Sequence, residues 1–257
     1  VSAGWNWNFR QTAHHNLIEW NHIHDIGQGV LSDMGGIYTL GVQTGTVERC
    51  NHIHHVTRSR NYGFGIYFDS GSSQIAVTSN LVHDCQDSSW FMARISAGNR
   101  VENNVFACAE SSQLTVGTYQ QGSLPSRFAH NIVVWDDGIF TKIQAGANMV
   151  SWESNLLWTT GNVWPKSAVG FVRADPHFAD LARRDFRLRP DSPAGDVGFH
   201  PFDLADAGCR GLPGLTKNLP PVPRVFEHAP EAMPFAMDFE NLPAGTFTAL
   251  PAHPDAK

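Results

Sequence analysis

Asn21-His-Ile-His-Asp25, Asn51-His-Ile-His-His55 and Asn80-Leu-Val-His-Asp84 are variants of one five-residue phrase, and weaker copies follow at Asn104-Val-Phe-Ala-Cys108, Asn131-Ile-Val-Val-Trp135 and Asn155-Leu-Leu-Trp-Thr159. The asparagines are spaced by 30, 29, 24, 27 and 24 residues, and a second phrase, Gly36-Ile-Tyr38 and Gly65-Ile-Tyr67, repeats at 29. Each unit holds a short strand rich in β-branched residues, a polar corner, and a second strand bounded by Gly or Ser. Such a unit cannot bury its apolar face alone, so the units must stack. An all-β right-handed parallel β-helix does this, with coils about 4.8 Å apart and equivalent residues aligned in ladders. Asn tolerates left-handed backbone and hydrogen-bonds neighbouring peptide groups, so its recurrence at one corner reads as structural. Leucine-rich repeats also carry a recurring Asn, but their L-x-x-L-x-L frame is missing and the interval here is irregular.

Beyond the repeats, Asp175-Pro-His-Phe-Ala-Asp180 leads into Arg184-Asp-Phe-Arg-Leu-Arg-Pro-Asp-Ser-Pro-Ala194, read as the last coil and its closure. Six prolines between 212 and 234 mark an extended linker. Residues 235–257 read as the opening of a further, truncated β domain, which leaves residues 1–211 as the β-helix. At the other end, Val1 to Phe9 reads as a strand of the repeat with no polar cap before it, which predicts a solenoid truncated at its N-terminus.

Composition narrows the function. Of the 257 residues, 42% are hydrophobic and 16% charged, as in a globular chain. The 18 basic residues are outnumbered by 24 acidic ones, and only Lys142, Lys166, Lys217 and Lys257 are lysines, which argues against a nucleic-acid partner. No apolar run reaches the roughly 18 residues that would span a membrane, so no membrane insertion is expected. The start of the chain lacks the basic and apolar parts of a signal peptide. Cys50, Cys85, Cys108 and Cys209 follow no paired or metal-binding spacing and read as buried thiols rather than disulfides.

The runs Asn16-Leu-Ile-Glu-Trp-Asn-His-Ile-His-Asp-Ile-Gly27, Leu31-Ser-Asp-Met-Gly-Gly-Ile-Tyr-Thr-Leu-Gly41 and Gly65-Ile-Tyr-Phe-Asp-Ser-Gly-Ser-Ser73, with the closing segment, resemble the β-helix glycoside hydrolases of family 141. The resemblance extends from about residue 5 to 211. Its specific parts are the segments around Asp33 and Asp69; the Asn phrases are common to many β-helices. It implies an exported enzyme, extracellular or periplasmic, that acts without a cofactor on a fucosylated or xylan-type polysaccharide or oligosaccharide. By motif match its two catalytic carboxylates are Asp33 and Asp69. Relatives often carry an acid directly after the second; here it is Ser70, a departure that bears on activity and substrate choice.

Read on their own, the residues leave alternatives. Glycosidic cleavage needs one carboxyl group to protonate the leaving oxygen and another to attack or to activate water. With Gly36 aligned on Gly65, Asp33 and Asp69 lie about 20 Å apart along a straight strip. Either the loop Gly27 to Ser32 folds Asp33 back or the pair is a different one, and each Asp also reads as a turn cap. Glu19 and Glu48, at nearly equivalent places before the ladder, and Asp25 and Asp84 after it, read as surface ladders; either glutamate is the replacement if one aspartate fails. His24, His54 and His83 share one register and His22 and His52 another, opposite Ile23 and Ile53. They suit a transition metal, hydrogen bonds to sugar hydroxyls, or an imidazole stack. No metal is assigned, because no matched carboxylate or Cys with supporting contacts is evident. Trp5, Trp7, Trp20, Tyr38, Tyr67, Phe68 and Trp90 offer sugar platforms or packing between coils. The expected substrate-binding set is His24, His54, Trp20, Tyr38, Tyr67, Glu48 and Trp90. Two other functions fit the scaffold: a polysaccharide lyase, disfavoured because the first 141 residues hold no Lys although Arg49, Arg58, Arg60 and Arg94 remain as bases, and a non-catalytic glycan-binding β-helix.

Overall fold

Short β-branched runs separated by left-handed corners fold, in a computed structural model of the chain, into three parallel sheets that wind as a β-helix. The structure describes residues 1–7, 13–118, 124–145, 149–161, 163–166 and 168–208. The expected linker at 212–234, the segment 235–257 and Cys209 lie outside them. The first sheet is six-stranded and stacks Ser2–Gly4, Met34–Leu40, Gly63–Phe68, Ser88–Met92, Ser112–Thr118 and Ile139–Ala145. The second, also six-stranded, runs from Leu17–Glu19 to Val150–Glu153, and the third, seven-stranded, from His22–Ile26 to Phe171–Arg173.

Each coil buries the middle residue of its short strands. In the third sheet the inward row is Ile23, Ile53, Val82, Phe106, Val133 and Leu157. These join Ile37, Ile66, Trp90 and Leu114 of the first sheet in one core. Cys85 and Cys108 are buried free thiols, as the spacing suggested, and Cys50 is a half-buried one.

The asparagine ladder runs the length of the coil. The Nδ2 of Asn21 donates to Oδ1 of Asn51 at 2.9 Å, and the pattern continues through Asn80, Asn104 and Asn131 to Asn155. From Asn51 onward each amide also reaches a strand carbonyl one coil back, as Asn51 does to Ile18 at 2.9 Å. The left-handed backbone expected of these asparagines falls instead on the residue before each: Trp20, Cys50, Ser79, Asn103, His130 and Ser154 have φ between 47° and 60°. Asn is required for its amide, which satisfies backbone groups that the corner would otherwise strand. Asn51→Ala is therefore expected to lower unfolding free energy by about 1–3 kcal/mol through buried groups left unpaired, as measured by chemical denaturation. Loss of activity at full stability would contradict that scaffold role.

The closing segment is a cover rather than the last coil. Phe171–Arg173 completes the third sheet, and Phe178–Asp180 then pairs with Asp185–Leu188 as an antiparallel hairpin. Together with Ala194, Val197 and Phe199 this hairpin packs on the outer face of the third sheet, against Val105, Ile132, Val134 and Leu156. The two outward rows of that sheet are apolar beneath the cover. Farther back they hold His22 and His52 in one row and His24, His54 and His83 in the other.

Candidate functional site

Asp33 directly precedes the strand Met34–Leu40, and Asp69 directly follows Gly63–Phe68, the next strand of the same sheet. The register sets Tyr38 beside Tyr67, with both rings on the outer face. Their rings meet edge to face at 4.6 Å. The Tyr67 hydroxyl donates to Asp33 Oδ1 at 2.9 Å, and the Tyr38 hydroxyl donates to Asp69 Oδ2. The tyrosine pair thus ties both carboxylates into one group.

The straight-strip separation is therefore wrong, and the bend lies elsewhere than in the loop Gly27 to Ser32. Five residues of extended strand span about 16 Å, beyond the reach of a Tyr side chain, so the chain must turn between Asp33 and the level of Tyr67. Gly35 and Gly36 provide the turn. A Cβ at Gly35 would lie 2.8 Å from Tyr67 Cβ, and one at Gly36 would lie 2.4 Å from Ile53 Cγ2. Only glycine lets the backbone approach so closely.

The two carboxylates differ in setting. Asp69 is 9% exposed, and its second oxygen accepts the Ser70 amide at 2.6 Å. Asp33 is exposed, with a left-handed φ of 56°. Ser70, in the place where relatives carry an acid, is itself buried. Burial, the hydrogen bond from Tyr38 to Asp69 and the charge of both carboxylates raise the Tyr38 phenol far above its usual range. Burial, with both carboxylates again behind it, does the same to Tyr67. Both hydroxyls stay protonated donors. Trp5, 61% exposed, stacks on Tyr38 at 5.3 Å, while Phe64 and Phe91 pack around Tyr67. Tyr38 and Tyr67 are themselves buried, so they hold the carboxylates rather than form an open platform.

The other expected residues divide between two places. Trp90 and Glu48 are fully buried inside the coil, which corrects their assignment to substrate binding. Trp90 continues the inward row of Ile37 and Ile66. Glu48 stands three residues before Asn51, where other units carry Ile18, Val77 and Val101. Glu19 stands only two before Asn21 and pairs outward with Arg49 at 2.7 Å. One residue of offset reverses the face, so the two glutamates never formed one surface ladder. Counting back from each Asn would have revealed this.

Neither oxygen of Glu48 has a hydrogen-bond partner among the described residues, and burial pushes its carboxyl up to about 8. In the unfolded chain the group releases its proton near 4.5. Between those values the folded state binds more protons, so stability is greatest below the lower one, falls as pH rises, and levels off above the upper. Glu48→Gln is expected to flatten that slope, and denaturation midpoints recorded from pH 4 to 9 check it; an unchanged slope would locate the pH dependence elsewhere.

His24, His54 and Trp20 lie on a different face from the tyrosine pair. Trp20 sits at the corner before Asn21, where its carbonyl accepts the Gly208 amide at 2.9 Å. His24 and His54 stack at 5.1 Å on the outer face of the third sheet. Burial, then neighbouring imidazoles, push His52 down to about 3 and His54 down to about 2, so these two rings are neutral at neutral pH. Burial works against the ionised form of Asp84, but hydrogen bonds from His83 and Arg184 overrule it and bring the group down to about 2. A cleft of about 280 Å³ opens between this face and the covering segment, with His52, Leu81, Arg184 and Phe186 among its walls.

Comparison with known proteins bears on the scaffold. The family described as "Right handed beta helix region" matches residues 9–155. No curated protein and no solved structure matches the chain.

Proposed function

The chain belongs to the right-handed β-helix family, and from that premise we propose that it is an exported glycoside hydrolase acting on a fucosylated or xylan-type glycan, with Asp33 and Asp69 as its two carboxylates. The family includes hydrolases and lyases, so the scaffold permits this chemistry without specifying it. The observation that carries the reading is the pair of in-register tyrosines, each donating its hydroxyl to one aspartate. One carboxyl group protonates the glycosidic oxygen as the bond to the leaving sugar breaks. The other attacks the anomeric carbon or takes a proton from the water that does. The tyrosines fix the orientation of both, and Trp5 offers an exposed ring beside them for the face of a sugar.

The test is incubation with a panel of fucosylated and xylan-type polysaccharides, following new reducing ends and ultraviolet absorbance together. Reducing ends without absorbance support hydrolysis. Both signals together would replace it with a lyase, and neither, with binding retained, would leave a glycan-binding β-helix.

A further inference from the structure

Beside the covering segment, whose Phe186 ring lies 4.9 Å from that of His83, the histidines of the third sheet converge. The ring nitrogens of His22, His52 and His54, one from each residue, lie within 4.8 Å of one another. The Nε2 atoms of His22 and His54 are 2.8 Å apart. Hydrogen bonds join these imidazoles only in pairs, His22 with His54 and His52 with His83, whereas a cation inside the triangle holds His22, His52 and His54 together. Two imidazoles on one tetrahedral zinc sit about 3.3 Å apart, given Zn–N distances of about 2.0–2.1 Å. Small ring movements bring this cluster to that spacing.

Supporting contacts are also in place. His83 Nε2 lies 2.9 Å from His52 Nε2, and its Nδ1 is held by Asp84 at 2.6 Å. Asp84 is in turn clamped by Arg184 at 2.8 Å. The carboxylate stands behind His83, one imidazole removed from the three, and helps to orient His52 through it. It is also the support that the spacing of residues in the chain did not reveal. His22 is exposed, so the cluster has an open entry path. Imidazole donors select zinc, copper and nickel over magnesium and calcium.

We propose that His22, His52 and His54 bind one divalent transition cation of the zinc type, with His83 as the adjoining imidazole, joining two successive coils on a face separate from the aspartate pair. The untagged chain, stripped with chelator, is titrated with Co²⁺ and followed by its visible ligand-field absorption, then challenged with Zn²⁺. One Co²⁺ per chain is expected, displaced by Zn²⁺, with a rise in Tm when Zn²⁺ is added. His52→Ala should weaken Co²⁺ binding about tenfold or more. His14→Ala, in the exposed His14–His15 pair, should leave it unchanged. The exposed His22→Ala repeats the test at a position where folding is not at stake. No Co²⁺ absorption at all would overturn the proposal, and so would unchanged affinity in the triple variant His22→Ala, His52→Ala, His54→Ala, which would assign the binding to scattered surface histidines.

Discussion

Asp69→Asn, and separately Asp33→Asn, is expected to leave a folded β-helix whose turnover falls to about a hundredth to a ten-thousandth of the parent's. The reason lies in what the substitution preserves. An asparagine carbonyl still accepts the hydroxyl of Tyr38 or Tyr67, so the geometry around the tyrosine pair is retained. The amide neither delivers nor takes a proton in the relevant range, and it does not attack an anomeric carbon. Thermal melts and glycan affinity should match the parent, which assigns the loss to chemistry. Turnover within about threefold of the parent in either variant, judged against that range, would remove that residue from the reaction.

Trp90→Ala is expected to cost about 3–5 kcal/mol of stability, the largest loss of stability of any single change considered. The side chain is fully buried, 6.2 Å from the Phe68 ring and 5.5 Å from Phe128, and its removal opens a hole that rigid parallel strands on either side cannot close. Its indole N–H has no partner among the described residues, so Trp90→Phe should cost much less: it vacates less space and removes an unpaired donor. Urea denaturation of the two variants checks both statements. A Trp90→Ala protein of full stability that no longer binds glycan would mean the residue faces outward.

Much of the fold was legible because a ladder writes itself into the sequence. The asparagine intervals are the coil lengths, and the histidine rows do lie opposite Ile23 and Ile53, since one alternation carries across paired strands. The side facing inward was harder to read in strands of three residues, where a single position decides. Glu48, in a three-residue strand, was misplaced by that single position, which only its offset from Asn51 reveals, and Trp90, in Ser88–Met92, because an amphipathic ring suits a groove and an interior alike. The contact of Asp33 with Tyr67 was hidden for another reason. It depends on a bend at Gly35 and Gly36, and a pair of glycines within an apolar run does not announce which way the chain will turn. The covering segment, read as the last coil and its closure, is the closure alone; its short extended runs resemble the repeat, while its packing partners lie 22 to 94 residues away.

The corners carry a mechanical consequence. At six successive corners a residue with a side chain is held in left-handed backbone, a conformation that stores roughly 1 kcal/mol or more each time. The Asn that follows bolts the corner shut across two coils. Each corner is a loaded spring, and each amide is its latch. A latch that fails releases its own spring and loosens the latch one coil away, because the two share a hydrogen bond. Under a pulling force such a rod should peel in steps of one coil, starting wherever a latch is weakest, instead of stretching evenly along its length.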